Sequence, residues 1–119
     1  MPRIFVYGTL KRGGSNHALL TSQQFLGAAR TSPGYTLYLP GDYPGMVRAA
    51  NDQAGVTGEV WLVDDACLQQ LDELEGVAEG LYERTPIQLT APFAAEPAQA
   101  YLYLRNITGR AAIGSVWKE

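Results

Sequence analysis

The sequence predicts a single mixed α+β domain whose sheet curls toward a small β-barrel with flanking helices. Three observations predict it. The 119 residues, 46% of them hydrophobic, suffice for one core but not two, so residues 1–119 read as one domain. Thirteen glycines and seven prolines exceed their usual combined share of about 12% and point to many turns and short strands. The segments between those turns read mostly as strands, with only two helical patterns among them.

Taken in order, residues 3–7 form a strand that Gly8 ends. Residues 8–15, Gly-Thr-Leu-Lys-Arg-Gly-Gly-Ser, are a glycine-bearing loop. A short helix follows, capped by Ser15 or Asn16 and carrying Ala18, Leu19 and Leu20. Residues 24–30 and 35–39 read as strands, followed by a Gly/Pro-rich turn over residues 40–45. Residues 46–49 are weakly strand-like, and residues 51–55 turn. Residues 56–63, Val-Thr-Gly-Glu-Val-Trp-Leu-Val, are the clearest strand through their β-branched and aromatic content. Asp64 or Asp65 caps a second helix, which runs to Glu75 and stops at Gly76. Two more strands lie near residues 82–90 and 98–104, and Pro86 places the first of them at a sheet edge or bulge.

Composition sets several functions aside. One cysteine cannot close an intramolecular disulfide, and one cysteine with one histidine is too few soft ligands for a structural zinc site. No structural zinc site is expected. Nine basic against twelve acidic residues, a net charge of −3, match a phosphate backbone poorly, so no nucleic-acid partner is expected. No apolar run approaches the ~18 residues of a membrane span, and the N-terminus lacks a signal-peptide core. The expectation is a soluble cytoplasmic protein.

The second helix holds the most informative residue. Leu68, Leu71 and Leu74 define its buried stripe, and Glu75, at i+4 from Leu71 and i+7 from Leu68, falls inside that stripe. Asp72 and Glu73 fall toward the flank and the solvent. A carboxylate aimed at the interior is costly to ionise, and a helix C-terminus disfavours negative charge. Both effects raise its pKa toward the range of a general acid/base at neutral pH. The alternative is that the helix frays at Gly76 and Glu75 swings into water.

The loop after the first strand is the second candidate. Gly8 permits close backbone approach, and successive amides of Gly8, Thr9 and Leu10 can form a nest for an anion, with Lys11 and Arg12 adding attractive potential. The alternative is an ordinary turn followed by a solvated Lys-Arg pair, and the spacing is not that of a P-loop. Cys67 reads as a buried structural thiol, although a Cys67–His17 nucleophile pair is possible in principle. Tyr82, Tyr101 and Tyr103 alternate with apolar residues, as packing side chains or with one hydroxyl facing a pocket.

These residues match a known pattern. Tyr7-Gly8-Thr9-Leu10-Lys11-Arg12-Gly13 followed by Asn16-His17 resembles the N-terminal signature of the gamma-glutamylcyclotransferase-like superfamily, particularly its gamma-glutamylamine cyclotransferase branch. Gly58-Glu59-Val60, the run from Leu71 through Gly76, Leu81-Tyr82-Glu83-Arg84-Thr85 and Tyr101-Leu102-Tyr103 agree with it, over roughly residues 4–104. The resemblance implies a small mixed barrel with a ligand cavity between the loop of residues 7–10 and Glu75. It makes Glu75 the catalytic acid/base and assigns Tyr7, Gly8, Thr9, Leu10 and Tyr103 to substrate binding. The implied reaction is closure of a γ-glutamyl group to 5-oxoproline with release of an amine, which needs no cofactor. A non-enzymatic binding module on the same fold, or removal of a γ-glutamyl protecting group from a biosynthetic intermediate, are the alternatives.

Overall fold

The computed structural model describes residues 1–118. Among the described residues there are eight strands: β1 (Arg3–Val6), β2 (Gln24–Arg30), β3 (Tyr35–Leu39), β4 (Gly45–Arg48), β5 (Thr57–Leu62), β6 (Tyr82–Ile87), β7 (Ala98–Tyr103) and β8 (Ala111–Gly114). They form one sheet in the order β2-β5-β1-β7-β4-β3-β8, with β6 also on β7. β7 is the hub. It carries β6 antiparallel from Tyr82↔Tyr103 to Ile87↔Ala98 and pairs in parallel with β1 at Gln99 and β4 at Leu102. Beyond β6, a bridge between Thr31 and Leu89 and bonds of 2.9 Å from Ser32 N–H to Gln88 O and from Thr90 N–H to Arg30 O bring the chain back to the end of β2. The sheet therefore curls like a barrel.

β1 lies inside this sheet and is buried on both faces, which explains its unbroken Ile-Phe-Val run. Strand alternation sends Ile4 and Val6 toward Trp61, Val63, Cys67 and Leu71, and sends Phe5 and Tyr7 toward Leu37, Met46, Val60 and Leu102. The first cluster is capped by the α-helix α1 (Asp65–Leu74), whose N-cap Asp64 accepts the Cys67 N–H at 2.7 Å.

The structure revises the sequence reading in four places. The first expected helix is a single 3-10 turn, His17–Leu20, and Asn16 does not cap it with its side chain. Asn16 Nδ2 donates instead to Thr9 Oγ1 at 3.0 Å, tying the turn to the preceding loop. On α1 the fully buried positions are Cys67 and Leu71; Leu68 is partly buried, and Leu74 is 41% exposed. The buried stripe is thus rotated from the expected one. β6 ends at Ile87, three residues early, because the chain past it turns to meet β2. β8 was unreadable in a run of Ala-Ala-Ile-Gly, whose strand state comes from pairing with β3 rather than from propensity. Pro86 does lie on an edge: β6 pairs with no named strand other than β7.

Candidate active site

A cavity of about 170 Å³ opens where the end of β1, the following loop, the end of α1 and the turn before β4 converge. Tyr7, Gly8, Thr9 and Leu10 form one wall and Glu75 another, so the structure brings together five of the six residues singled out in the sequence.

The loop wall is held by its own backbone and by residues behind it. Lys11 N–H donates to Gly8 O at 3.2 Å and Asn16 N–H to Thr9 O at 2.9 Å. The N–H groups of Gly8, Thr9 and Leu10 donate to no acceptor among the described residues, which leaves them available to an anion. His17 Nδ1 lies 3.0 Å from Leu10 O, and its ring packs edge-on against Trp61. Arg12 is exposed but paired. Its N–H and Nε reach the two oxygens of Glu59 at 3.0 and 3.1 Å, and its guanidinium lies 3.9 Å over the Phe25 ring. Trp61 Nε1 adds a third bond to Glu59 at 3.1 Å. Burial alone would raise the Glu59 carboxyl, but the Arg12 amide, the Trp61 indole and the Arg12 guanidinium together hold it below its ordinary value. Lys11 Nζ donates to Trp117 O at 2.7 Å. The loop cations therefore brace the loop from outside the cavity lining.

Glu75 is the C-cap of α1, and the helix end does not fray. Gly76, at φ +65°, sends its N–H to Glu73 O at 3.1 Å, and Val77 sends its N–H to Asp72 O at 3.1 Å. This is the double bond pattern of a Schellman motif, which only a residue at ease in the left-handed region closes without strain. It fixes the Glu75 backbone, and the side chain lines the cavity. No side chain or amide among the described residues pairs with the carboxyl, and burial pushes its pKa up to about 7.

Three buried phenols stand in the wall. Tyr7 OH donates to Tyr101 O at 2.6 Å and accepts from Met46 N–H at 3.1 Å; Tyr82 OH donates to Pro44 O at 2.7 Å; Tyr101 OH donates to Asp72 Oδ1 at 2.7 Å. Burial raises all three well above the ordinary phenol value, with the neighbouring Glu75 charge adding to each. They stay neutral and already spend their protons on structural acceptors. Tyr103 is not part of the lining: it packs edge-on against Tyr82, ring centroids 5.3 Å apart, and against the backbone of Gly45. Tyr101, two residues earlier on the same face of β7, lines the cavity instead. Tyr43, Pro44, Leu74 and Leu81 also line it; the sequence marks none of them as a cavity residue, since each belongs to a turn or helix end whose position only the fold sets. Cys67 and His17 lie outside the lining, and the Cys67 thiol meets Leu19 O at 3.5 Å. No helix among the described residues is long and apolar enough to cross a membrane.

The fold and the site together are those of a curled α+β sheet with a pocket in which one acid has no partner among the described residues and faces a loop of free amides. The comparisons supply the class. The family model described as gamma-glutamyl cyclotransferase, AIG2-like, matches residues 4–118, and the chain belongs to that enzyme family. The human gamma-glutamylaminecyclotransferase is 35% identical over 122 residues, covering 88% of this chain and 79% of its own. The Escherichia coli gamma-glutamylcyclotransferase family protein YtfP is 38% identical over 113 residues, covering 95% and 92%. The crystal structure of a mouse AIG2-like protein superposes with a TM-score of 0.71 at 32% identity, covering 88% of this chain and 77% of that one.

Proposed function

We propose that this chain converts a γ-glutamyl amine or amide to 5-oxoproline and a free amine, with Glu75 as the single acid/base. The α-amine nitrogen of the γ-glutamyl group attacks its own γ-carbonyl carbon. The new C–N bond closes the five-membered ring as the bond to the departing nitrogen breaks, and no water is consumed. Ring closure within one substrate supplies a large effective molarity, so the protein has little covalent chemistry to provide. It has to hold the substrate's anionic end, fold its chain back and relay one proton. Glu75 takes that proton from the attacking amine and returns it to the leaving nitrogen, a task suited to a pKa close to the working pH. The amides of Gly8, Thr9 and Leu10, with Tyr7 behind them, hold the carboxylate or the developing oxyanion. A cytoplasmic protein with a small-molecule substrate and no nucleic-acid partner is part of this reading.

The observation that carries the proposal is the Glu75 carboxyl, held at the cavity by a Schellman turn, raised to about 7 by burial and without a partner among the described residues. It also favours an enzyme over a binding module, which gains nothing from a costly unpaired acid. The test is a panel of γ-glutamyl amines incubated with the purified protein, with 5-oxoproline and free amine both quantified. One 5-oxoproline per amine released is expected. Release of glutamate in its place would mean hydrolysis and would overturn the cyclisation.

A further inference from the structure

We infer that Tyr43 and Leu74 form a subsite for the hydrocarbon stem of the leaving amine, so that the enzyme reads the apolar length next to the scissile bond. The inference rests on the cyclisation proposed above and deepens it. A cavity of about 170 Å³ is close to the ~150 Å³ that accommodates one benzene-sized ring. The closing five-membered ring takes up that room, and the substituent on the departing nitrogen has to project through the mouth. Leu74 and Tyr43 are the two lining residues that are exposed large hydrophobics, at 41% and 36%. They come from different elements, the last residue of α1 and the turn before β4.

Neither serves the core. Leu71 and Cys67 hold α1 to the sheet, and both Leu74 and Tyr43 stand outside the two buried clusters. Leu74 and Glu75 line the same cavity, so the group attached to the nitrogen that Glu75 protonates leaves past the leucine side chain. Tyr43 presents a ring braced 6.4 Å from that of Tyr82. Among the described residues no lysine or arginine lines the cavity, so an alkyl chain finds apolar partners there and an anionic substituent finds no described countercharge. Apolar surface that is solvent-exposed and continuous with a binding cavity is where a ligand's hydrocarbon is covered.

The test uses the purified full chain and γ-glutamyl derivatives of methylamine, propylamine and pentylamine. The wild type should gain about twofold in kcat/KM per added methylene, a partial share of full burial, chiefly through KM. Tyr43→Ala and Leu74→Ala should each lower kcat/KM for the pentyl member several-fold more than for the methyl member. Tyr43→Phe, which keeps the ring, should keep the chain-length slope and so control for folding defects. Cyclisation with a flat wild-type series, or a slope that survives both alanine variants, overturns the subsite alone. Absence of 5-oxoproline from every member overturns the cyclisation and the subsite with it.

Discussion

Asp72 and Glu75, one helical turn apart on α1, hold their carboxylates in opposite surroundings. Asp72 receives Arg84 Nε at 2.9 Å, Arg84 Nη2 at 3.2 Å and the Tyr101 hydroxyl at 2.7 Å. Glu75 receives no donor among the described residues and is pushed up to about 7 by burial. Arg84 is itself held by Gln99 at 2.7 Å. Its charge is therefore committed to Asp72, and the acid on the cavity stays unneutralised. Asp72 holds the Tyr101 hydroxyl in the wall, and in the proposed reaction Glu75 is left to move a proton.

Glu75→Gln should remove cyclotransferase activity while the fold persists, because the amide keeps the shape and cannot relay a proton. The raised pKa also has a stability consequence. The folded state holds a proton on Glu75 that the unfolded state, with its ordinary value of 4.5, has already lost. The contribution of this group is thus fully present below about pH 4.5 and is lost as pH rises through about 7. The loss is on the order of 3 kcal/mol at most. Denaturant unfolding should find Glu75→Gln more stable than wild type at pH 8, with the gap closing by pH 5. Parallel stabilities at both pH values would mean that Glu75 is not desolvated.

The same group should set the pH dependence of turnover. Only the ionised carboxylate can take a proton from the substrate amine, so kcat/KM should rise with pH through a limb near 7. In Glu75→Asp, a carboxylate one methylene shorter, kcat should fall by about 10²-fold or more, the scale of one acid/base contribution. A limb at the same position in Glu75→Gln would assign it to another group.

Much of this site was legible before any coordinates, and the reasons are local. Glu75 and the glycine after it sit within a few residues of the helix periodicity that defines them, and so does Asp64 as N-cap. The amides of residues 8–10 follow directly from a strand ended by glycine. What stayed hidden is long-range. The commitment of Arg12 to Glu59 joins positions 47 apart, and the choice of Tyr101 over Tyr103 depends on where along one face of β7 the cavity opens. Leu74 is a leucine at helical spacing that the fold leaves exposed, so periodicity alone assigned it to the core.

Cys67→Ala should leave activity intact and cost about 1 kcal/mol for the cavity it creates. Burial, with Asp64 nearby, raises the thiol pKa, which keeps Cys67 protonated and a poor nucleophile. Loss of turnover in a folded Cys67→Ala protein, or inactivation by a thiol reagent at that position, would restore a catalytic role.

Arg12→Ala should be more harmful than Lys11→Ala, since it strips Glu59 of its guanidinium bond while Glu59 stays only 8% exposed. The Arg12 side chain is itself 56% exposed, so the cost should be about 1–2 kcal/mol rather than that of a fully buried pair. Thermal unfolding of the two variants side by side gives the order. Equal melting temperatures would show that the Arg12 backbone amide and Trp61 alone suffice to hold Glu59.

Gly8 should be the least replaceable position of the loop, and the cause is contact rather than backbone conformation. Gly8 is not among the positive-φ glycines, so another residue can adopt its dihedrals. A β-carbon there, however, would stand 2.7 Å from Pro44 Cγ and 3.2 Å from Pro44 Cδ. The proline ring is rigid and its carbonyl is held by the Tyr82 hydroxyl at 2.7 Å, so the loop has to move instead. That displaces the amides of residues 8–10 from the wall they share with Pro44. Gly8→Ala should raise KM about tenfold and Gly8→Val more, both exceeding Arg12→Ala, with the sheet retained by circular dichroism. Fixed amides lose little entropy on binding, and a shift of about 1 Å in such a group is enough to cost two orders of magnitude in rate. If steady-state kinetics found Gly8→Val close to wild type while Arg12→Ala or Lys11→Ala lost substrate binding, the anion would be held by mobile cations and not by the loop backbone.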